Sequence, residues 1–231
     1  MVFFFDPSFI ILIPGIILAL MAQAYVQERF NKYSRVISTL GMTGAELAKF
    51  MLESAGLYDV KVEMIPGKLN DHYDPRSKVV RLSSATYNKA SVAALGVVAH
   101  EIGHAIQHAR NYAPLVVRNG LAPVVSLTSN LSWILFIAGF LFFNIALIRI
   151  GIFLFAFAII FSLITLPVEF DASNRAIKIL RTNLMMPEKE LKGVKQVLSA
   201  AALTYVAGTL MAILQLLRML FLAGLMGGNR D

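Results

Sequence analysis

The residues best suited by type and spacing to do chemistry are His100-Glu101-Ile102-Gly103-His104. On a helix, positions four apart lie on one face. The two imidazoles could then reach a single cation, at about 2.0–2.1 Å per bond if it is zinc. Glu101, next to His100, is placed to hold a water at that cation without binding the cation itself. Zinc lowers the pKa of such a water to about 7, and a neighbouring carboxylate can take its proton during attack on a carbonyl. The same carboxylate can hand the proton on to a leaving amine. The five residues therefore point to metal-assisted hydrolysis, with Glu101 as the catalytic base.

The surroundings of the motif support this. Ala93-Ala94-Leu95-Gly96-Val97-Val98-Ala99 precedes it and Ala105-Ile106 follows, which reads as an apolar helix running from Ser91 to about Ala109. Burying two imidazoles and a carboxylate without partners costs several kcal/mol. Two core histidines satisfied by hydrogen bonds are the weaker explanation. A catalytic zinc also needs a third protein ligand and an open position. The chain has no cysteine, so that ligand is a His, Asp or Glu. His108 would sit about 12 Å along the helix axis from His100, too far to share one ion. Glu169, in Leu166-Pro167-Val168-Glu169-Phe170, fits better, at the start of a helix that Pro167 could open.

These residues must be positioned by a chain of unusual composition. Of its 231 residues, 57% are hydrophobic and only 15% charged, against roughly 25% charged in an average globular chain. Mean hydropathy is +0.67. A bilayer core is crossed by about 20 apolar residues in a helix, and four stretches come close: 8–24, 131–148, 150–166 and 198–217. Phe3 to Phe5 could extend the first. That stretch lacks the basic leader of a signal peptide, so it reads as an uncleaved anchor. The second helix is expected to begin well before its lipid-facing part, because 115–131 carries Arg118, Asn119, Ser126, Thr128, Ser129 and Asn130. Those groups are expected to line a cavity or pack against the soluble part. Arg149 marks the expected join between the second and third spans.

Net charge is +7. The basic residues are not interleaved with aromatics as in a nucleic-acid module, so nucleic acid is not an expected partner. Eighteen of the twenty-one Lys and Arg fall in two polar segments, Gln27–Arg118 and Phe170–Gln196. With four spans both segments face one side, and the basic bias makes that side the cytoplasm. His100, Glu101 and His104 come from the first segment, and Glu169 borders the second. The larger segment reads as a small α+β unit. Thr43-Gly44-Ala45-Glu46 is a capping box for a helix ending at Gly56. Tyr58–Ile65 alternates as a half-buried strand should, Pro66-Gly67 is a turn, and Lys78–Leu82 is a second strand. Lys189–Lys195 reads as a solvated loop or helix.

Taken together, several stretches resemble the YugP-like membrane zinc metallopeptidases of bacteria. They are Asp71-His72-Tyr73-Asp74-Pro75, Val80-Arg81-Leu82-Ser83, the run from Ala94 to Gln107 across the motif, and Leu166-Pro167-Val168-Glu169-Phe170-Asp171-Ala172-Ser173. The resemblance covers nearly the whole chain. It implies a proteolytic Zn2+ site whose downstream glutamate is Glu169. More distantly the pattern is similar to gluzincin membrane proteases, which carry Glu-x-x-x-Asp with the Asp supporting a zinc-bound His. Here that position is Ser173, and Asp171 is expected to pair with Arg175 instead, four residues on. The likeness to zincins also suggests Lys78–Leu82 as a sheet edge for pairing with a substrate backbone. His72, Tyr73, Tyr87, Arg175 and Tyr205 are all candidates for stabilising an oxyanion.

The expectation is thus a mainly α integral membrane protein forming one metallopeptidase domain over 1–231. It has about four transmembrane helices and a small zincin-like α+β unit on the cytoplasmic side of a bacterial-type plasma membrane. Zn2+ is held by His100, His104 and Glu169, and Glu101 serves peptide or protein substrates that include membrane proteins. Two alternatives stand beside it: a zinc hydrolase of a non-peptide amide or lipid-linked group, and a non-catalytic zinc-stabilised membrane scaffold.

Overall fold

The structure, a computed structural model, describes residues Pro7 to Gly227; Phe3 to Phe5 lie outside them. A 3-10 turn, Pro7–Leu12, leads into α1 (Ile13–Ser34), followed by α2 (Gly44–Ser54), β1 (Lys61–Ile65), β2 (His72–Asp74) and β3 (Val79–Ser83). Then come α3 (Ser84–Tyr87), α4 (Val92–Ala109), α5 (Ala113–Leu141), α6 (Ile145–Thr182) and α7 (Glu188–Gly227). The chain is mainly helical, with a small mixed sheet and four helices long and apolar enough to cross a membrane.

Two compact units result. One gathers the chain up to Ala22, Val117–Leu166 and the chain from Thr204 on; the other gathers Gln23–Val116 and Pro167–Leu203. Within the first unit α5 and α6 pack closely. A Cβ on Gly151 would lie 2.9 Å from Phe136 N and from Ser132 O, and buried Ser132 donates from Oγ to Gly151 O at 2.9 Å. Small residues let apolar helices approach backbone to backbone in this way. The join between these helices is Phe142–Asn144, not Arg149. Phe143 takes the left-handed conformation at φ 52°, and the Asn144 side chain accepts from Ala146 N and Leu147 N at 3.0 and 3.3 Å. An asparagine that caps both first-turn amides starts the helix there, which leaves Arg149 inside α6 and exposed. The polar residues of 115–131 do not form a buried set: Ser126 and Asn130 are exposed, while Arg118, Asn119, Thr128 and Ser129 are half-buried.

The second unit is built around α4. Ser91 caps it, accepting from Ala94 N. Leu95, Val98, Ala99, Ile102 and Ala105 are buried among Leu47 and Met51 of α2, Val80 and Leu82 of β3, Ala176 and Leu180 of α6, and Leu191 and Val194 of α7. A helix apolar on every side is a buried helix, which is what the small, apolar flanks of the motif imply. The expected capping box on α2 is present in both directions between Thr43 and Glu46, and Gly56 takes φ 72° just beyond its end. The segment Lys189–Lys195 is helical, in α7, with Leu191 and Val194 buried.

The sheet runs β1-β3-β2, with β1 parallel and β2 antiparallel to β3. This corrects the expectation for Lys78–Leu82. That strand is central, hydrogen-bonded on both sides, and has no free edge to offer a peptide. The edge beside α4 is the three-residue β2. Pro167 does not open a helix either. It lies inside α6, which runs continuously from the apolar stretch through Glu169; nearby helices and side chains let apolar helices accommodate an internal proline.

Candidate metal centre

Two helices of the second unit supply the site. α4 presents His100 and His104 one turn apart with Glu101 directly after His100, and α6 presents Glu169. What sets the separation of the helices is Gly103: a Cβ there would lie 2.7 Å from the carbonyl oxygen of Ala172. With only hydrogen at Gly103, α6 lies directly against the motif, and Glu169 reaches the imidazoles.

The three ligand-type atoms converge. His100 Nε2 lies 3.2 Å from Glu169 Oε2 and 3.2 Å from His104 Nε2, and His104 Nε2 lies 3.5 Å from Glu169 Oε2. Bonds of about 2.0–2.1 Å to a tetrahedral ion put ligand atoms about 3.3–3.4 Å apart, so the triangle has the size zinc requires. Among the described residues, His100, His104 and Glu169 form a group able to hold a metal ion. His108 is not in it. Its Nδ1 meets the Tyr73 hydroxyl at 2.8 Å.

The hydrogen-bond partners around the triangle establish its chemistry. Gln107 is fully buried. Its Nε2 donates to Val168 O at 2.9 Å and to Asp171 Oδ2 at 2.8 Å. Both partners can only accept, so the orientation of the amide is fixed, and Oε1 is the atom that faces His104 Nδ1 at 3.0 Å. An amide oxygen cannot donate; His104 therefore carries a proton on Nδ1, which leaves Nε2 as the nitrogen that faces Glu169 and His100 and could bind a cation. His100 Nδ1 meets Ser173 Oγ at 3.1 Å. Two imidazole nitrogens facing a carboxylate 2% exposed make a pocket that draws in positive charge. The same field acts on protons. Burial pulls the His104 pKa down, but the Glu169 hydrogen bond and the Glu101 charge overcome it and raise the group overall.

Glu101 is 8% exposed and stands outside the triangle. Its Oε2 accepts from the backbone N–H of Tyr73, in β2, at 2.9 Å. Burial pushes its carboxyl up, and the nearby imidazoles only partly offset this. A carboxylate shifted toward neutral is well matched to taking up and releasing a proton.

Of the oxyanion candidates, Tyr73 comes next to Glu101, but through its backbone. Its phenol is turned to His108 and, mainly through burial, is pushed up to about 12. His72 is exposed, with Nδ1 at 2.9 Å from Asn70 O. Tyr87 packs against the hydrophobic core of the unit, and Tyr205 belongs to the other unit. Arg175 makes the expected pair with Asp171, Nε to Oδ2 at 2.5 Å. Sequence reasoning left open which groups orient the histidines. Gln107, three residues after His104, and Ser173, four after Glu169, fill that place, and their spacing from the ligands is the signal that could have found them.

No solved structure matches this chain. A "Putative membrane protease YugP" of Bacillus subtilis (strain 168) is 48% identical over 209 residues, 90% of this chain and 93% of that protein. The sequence model of a family described as "Putative neutral zinc metallopeptidase" matches residues 8–224. The chain belongs to that zinc metallopeptidase family.

Proposed function

We propose that the protein is a membrane-embedded zinc endopeptidase of the gluzincin type, with zinc held by His100, His104 and Glu169 and with Glu101 as base and proton shuttle. The observation that carries this reading is the triangle of His100 Nε2, His104 Nε2 and Glu169 Oε2, with ligand atoms within 4.8 Å of one another, next to a buried carboxylate that belongs to none of its corners. A purely structural metal site has no use for such a base. When bound, zinc supplies a Lewis acid that polarises the scissile carbonyl and makes water acidic enough to be deprotonated near neutral pH. Glu101, fixed by the Tyr73 N–H, takes that proton and passes it to the leaving amine. Substrates are extended segments of membrane or membrane-adjacent proteins, and the site lies on the cytoplasmic side.

The test is bound zinc and casein cleavage for three purified forms. Wild type cleaves; Glu101→Gln keeps zinc and is inactive; Glu169→Ala loses both. Full zinc and activity in Glu169→Ala would reject Glu169 as ligand. A wild type that holds zinc and cleaves no peptide would reject the peptidase reading. Impermeant labelling at residue 231 tests the orientation, which fails if that end is cytoplasmic.

A further inference from the structure

We infer that Gln107 is the residue that positions the His104 imidazole for metal binding, and that it is itself locked by the Asp171–Arg175 pair. This rests on the zinc reading above and adds a positioning residue to it. Gln107 has 0% exposure and makes three hydrogen bonds, to His104 Nδ1, Val168 O and Asp171 Oδ2. A glutamine amide has one acceptor atom and one donor atom, and here the donor atom is committed to two oxygens on α6. Rotating the amide by 180° would set an NH2 against His104 Nδ1–H and a carbonyl against two acceptors. The oxygen toward His104 is therefore the only orientation the surroundings permit.

A histidine that binds a metal through one ring nitrogen commonly donates from the other to a fixed acceptor, which sets its tautomer and the direction of its ring. Here the acceptor is a neutral amide from the ligands' own helix, and its fixity is borrowed from α6. Asp171 Oδ2 takes both the Gln107 Nε2–H and the Arg175 Nε–H, and Arg175 lies over the Tyr112 ring at 5.7 Å from its centroid. The run Arg175, Asp171, Gln107, His104 joins the two helices beside the ligands. Asp171 sits two residues after Glu169, so one stretch of α6 supplies a ligand and the clamp on the opposite ligand's orienter.

The test compares zinc affinity, by competition with a chelator, in wild type, Gln107→Met and the double variant Gln107→Glu/Asp171→Asn. Methionine keeps the stem and removes the amide, and a 10–100-fold loss of affinity is expected, the range typical for removing such a partner. In the double variant the carboxylate at 107 accepts from His104 and the amide at 171 donates back to it, while Val168 O loses its donor and Arg175 Nε–H must turn to the remaining oxygen of residue 171, so affinity recovers part of the way from Gln107→Met toward wild type. Rescue of that kind does not follow if Gln107 merely fills space. Should Gln107→Met fail to fold, the zinc-loaded wild type decides: with only four histidines in the chain, its 15N–1H spectrum should show a slowly exchanging Nδ1 proton on His104. Wild-type affinity in Gln107→Met, a double variant as weak as a folded Gln107→Met, or a fast-exchanging His104 Nδ1 proton would overturn the inference. A wild type without zinc affinity would do so too. Activity is not needed for any of these readings, so a protein that binds zinc and cleaves nothing rejects the peptidase proposal while leaving this one to be decided by affinity.

Discussion

Replacing Gly103 by alanine adds one methyl group at the closest approach of α4 to α6. The new Cβ would stand 2.7 Å from Ala172 O and 3.2 Å from Ala172 C and Cα. An ordinary carbon–oxygen contact begins near about 3.3 Å, so about 0.6 Å of separation has to be found between packed helices. The obstacle is backbone, which cannot turn aside as a side chain can. Overpacking of this kind costs about 1–3 kcal/mol. The displaced segment carries Glu169, about one turn before the contact, and Ser173, the residue immediately after it. Metal–ligand distances tolerate about 0.2 Å, so a retreat of about 0.6 Å is enough to detach the carboxylate from the triangle. The expected result is a lower melting temperature together with a loss of zinc affinity of tenfold or more. Gly96→Ala is the matched control. Its Cβ would meet Val194 Cγ1 at 3.1 Å, a methyl that can move, and α7 carries none of the ligands. Zinc titration and thermal unfolding of both variants check the argument. If Gly103→Ala binds zinc like wild type, or if Gly96→Ala loses as much, the reasoning that Gly103 sets the ligand spacing is refuted.

Three further outcomes follow from other parts of the structure. Ser173→Ala removes the partner of His100 Nδ1 and should weaken zinc binding, read by chelator competition, with less effect than Gln107→Met because Ser173 lacks the bonds that fix Gln107. Thr43→Ala breaks the capping box on α2 and should destabilise the protein by about 0.5–2 kcal/mol, seen as a lower melting temperature with unchanged zinc affinity. Asp74 is held well below the usual carboxylate range by the Ser77 hydroxyl, the Arg76 N–H and the Arg81 guanidinium. A carboxyl whose folded pKa is depressed stabilises the fold fully above its unfolded value of about 3.9 and loses that contribution as pH falls below it. Asp74→Asn should therefore flatten the fall of melting temperature on the acid side and leave its pH dependence above about 5 unchanged.

Much of this arrangement was legible in the sequence. The bounds of α4 were readable because a capping serine and a run of small apolar residues both point to a buried helix, and the four spans were readable from length and hydropathy. Pro167 misled because proline commonly starts a helix in water, whereas α6 is apolar for many residues before it and continues. The join of α5 and α6 was assigned to Arg149 because a charge stands out in an apolar stretch; the local signal was Asn144, whose short side chain can cap a helix. Strand β2 has three residues, too few for alternation to register. Its importance lies in one backbone N–H aimed at Glu101, and a main-chain group leaves no trace in residue identity. The central position of β3 is a matter of strand order, which spacing along the chain does not encode. Gln107 is a different case: its position beside His104 was visible, but its meaning depends on Val168 and Asp171, 61 and 64 residues away.

That distance along the chain has a consequence for the polymer itself. On the proposed zinc site, a cation shared by His104 and Glu169 would tie together points 65 residues apart (169 − 104). A random chain closed by such a link loses conformational entropy equivalent to about 4 kcal/mol at room temperature. The segment between contains α5 and the apolar part of α6, which do not become coil in a bilayer, so the gain is smaller than for a soluble loop of that length. It would still be a cross-link, in a protein with no cysteine to make another. Stripping the metal should then shorten the lifetime of the folded chain at high temperature as well as silence it, and a preparation that has lost its zinc should become harder to reactivate the longer it is left warm.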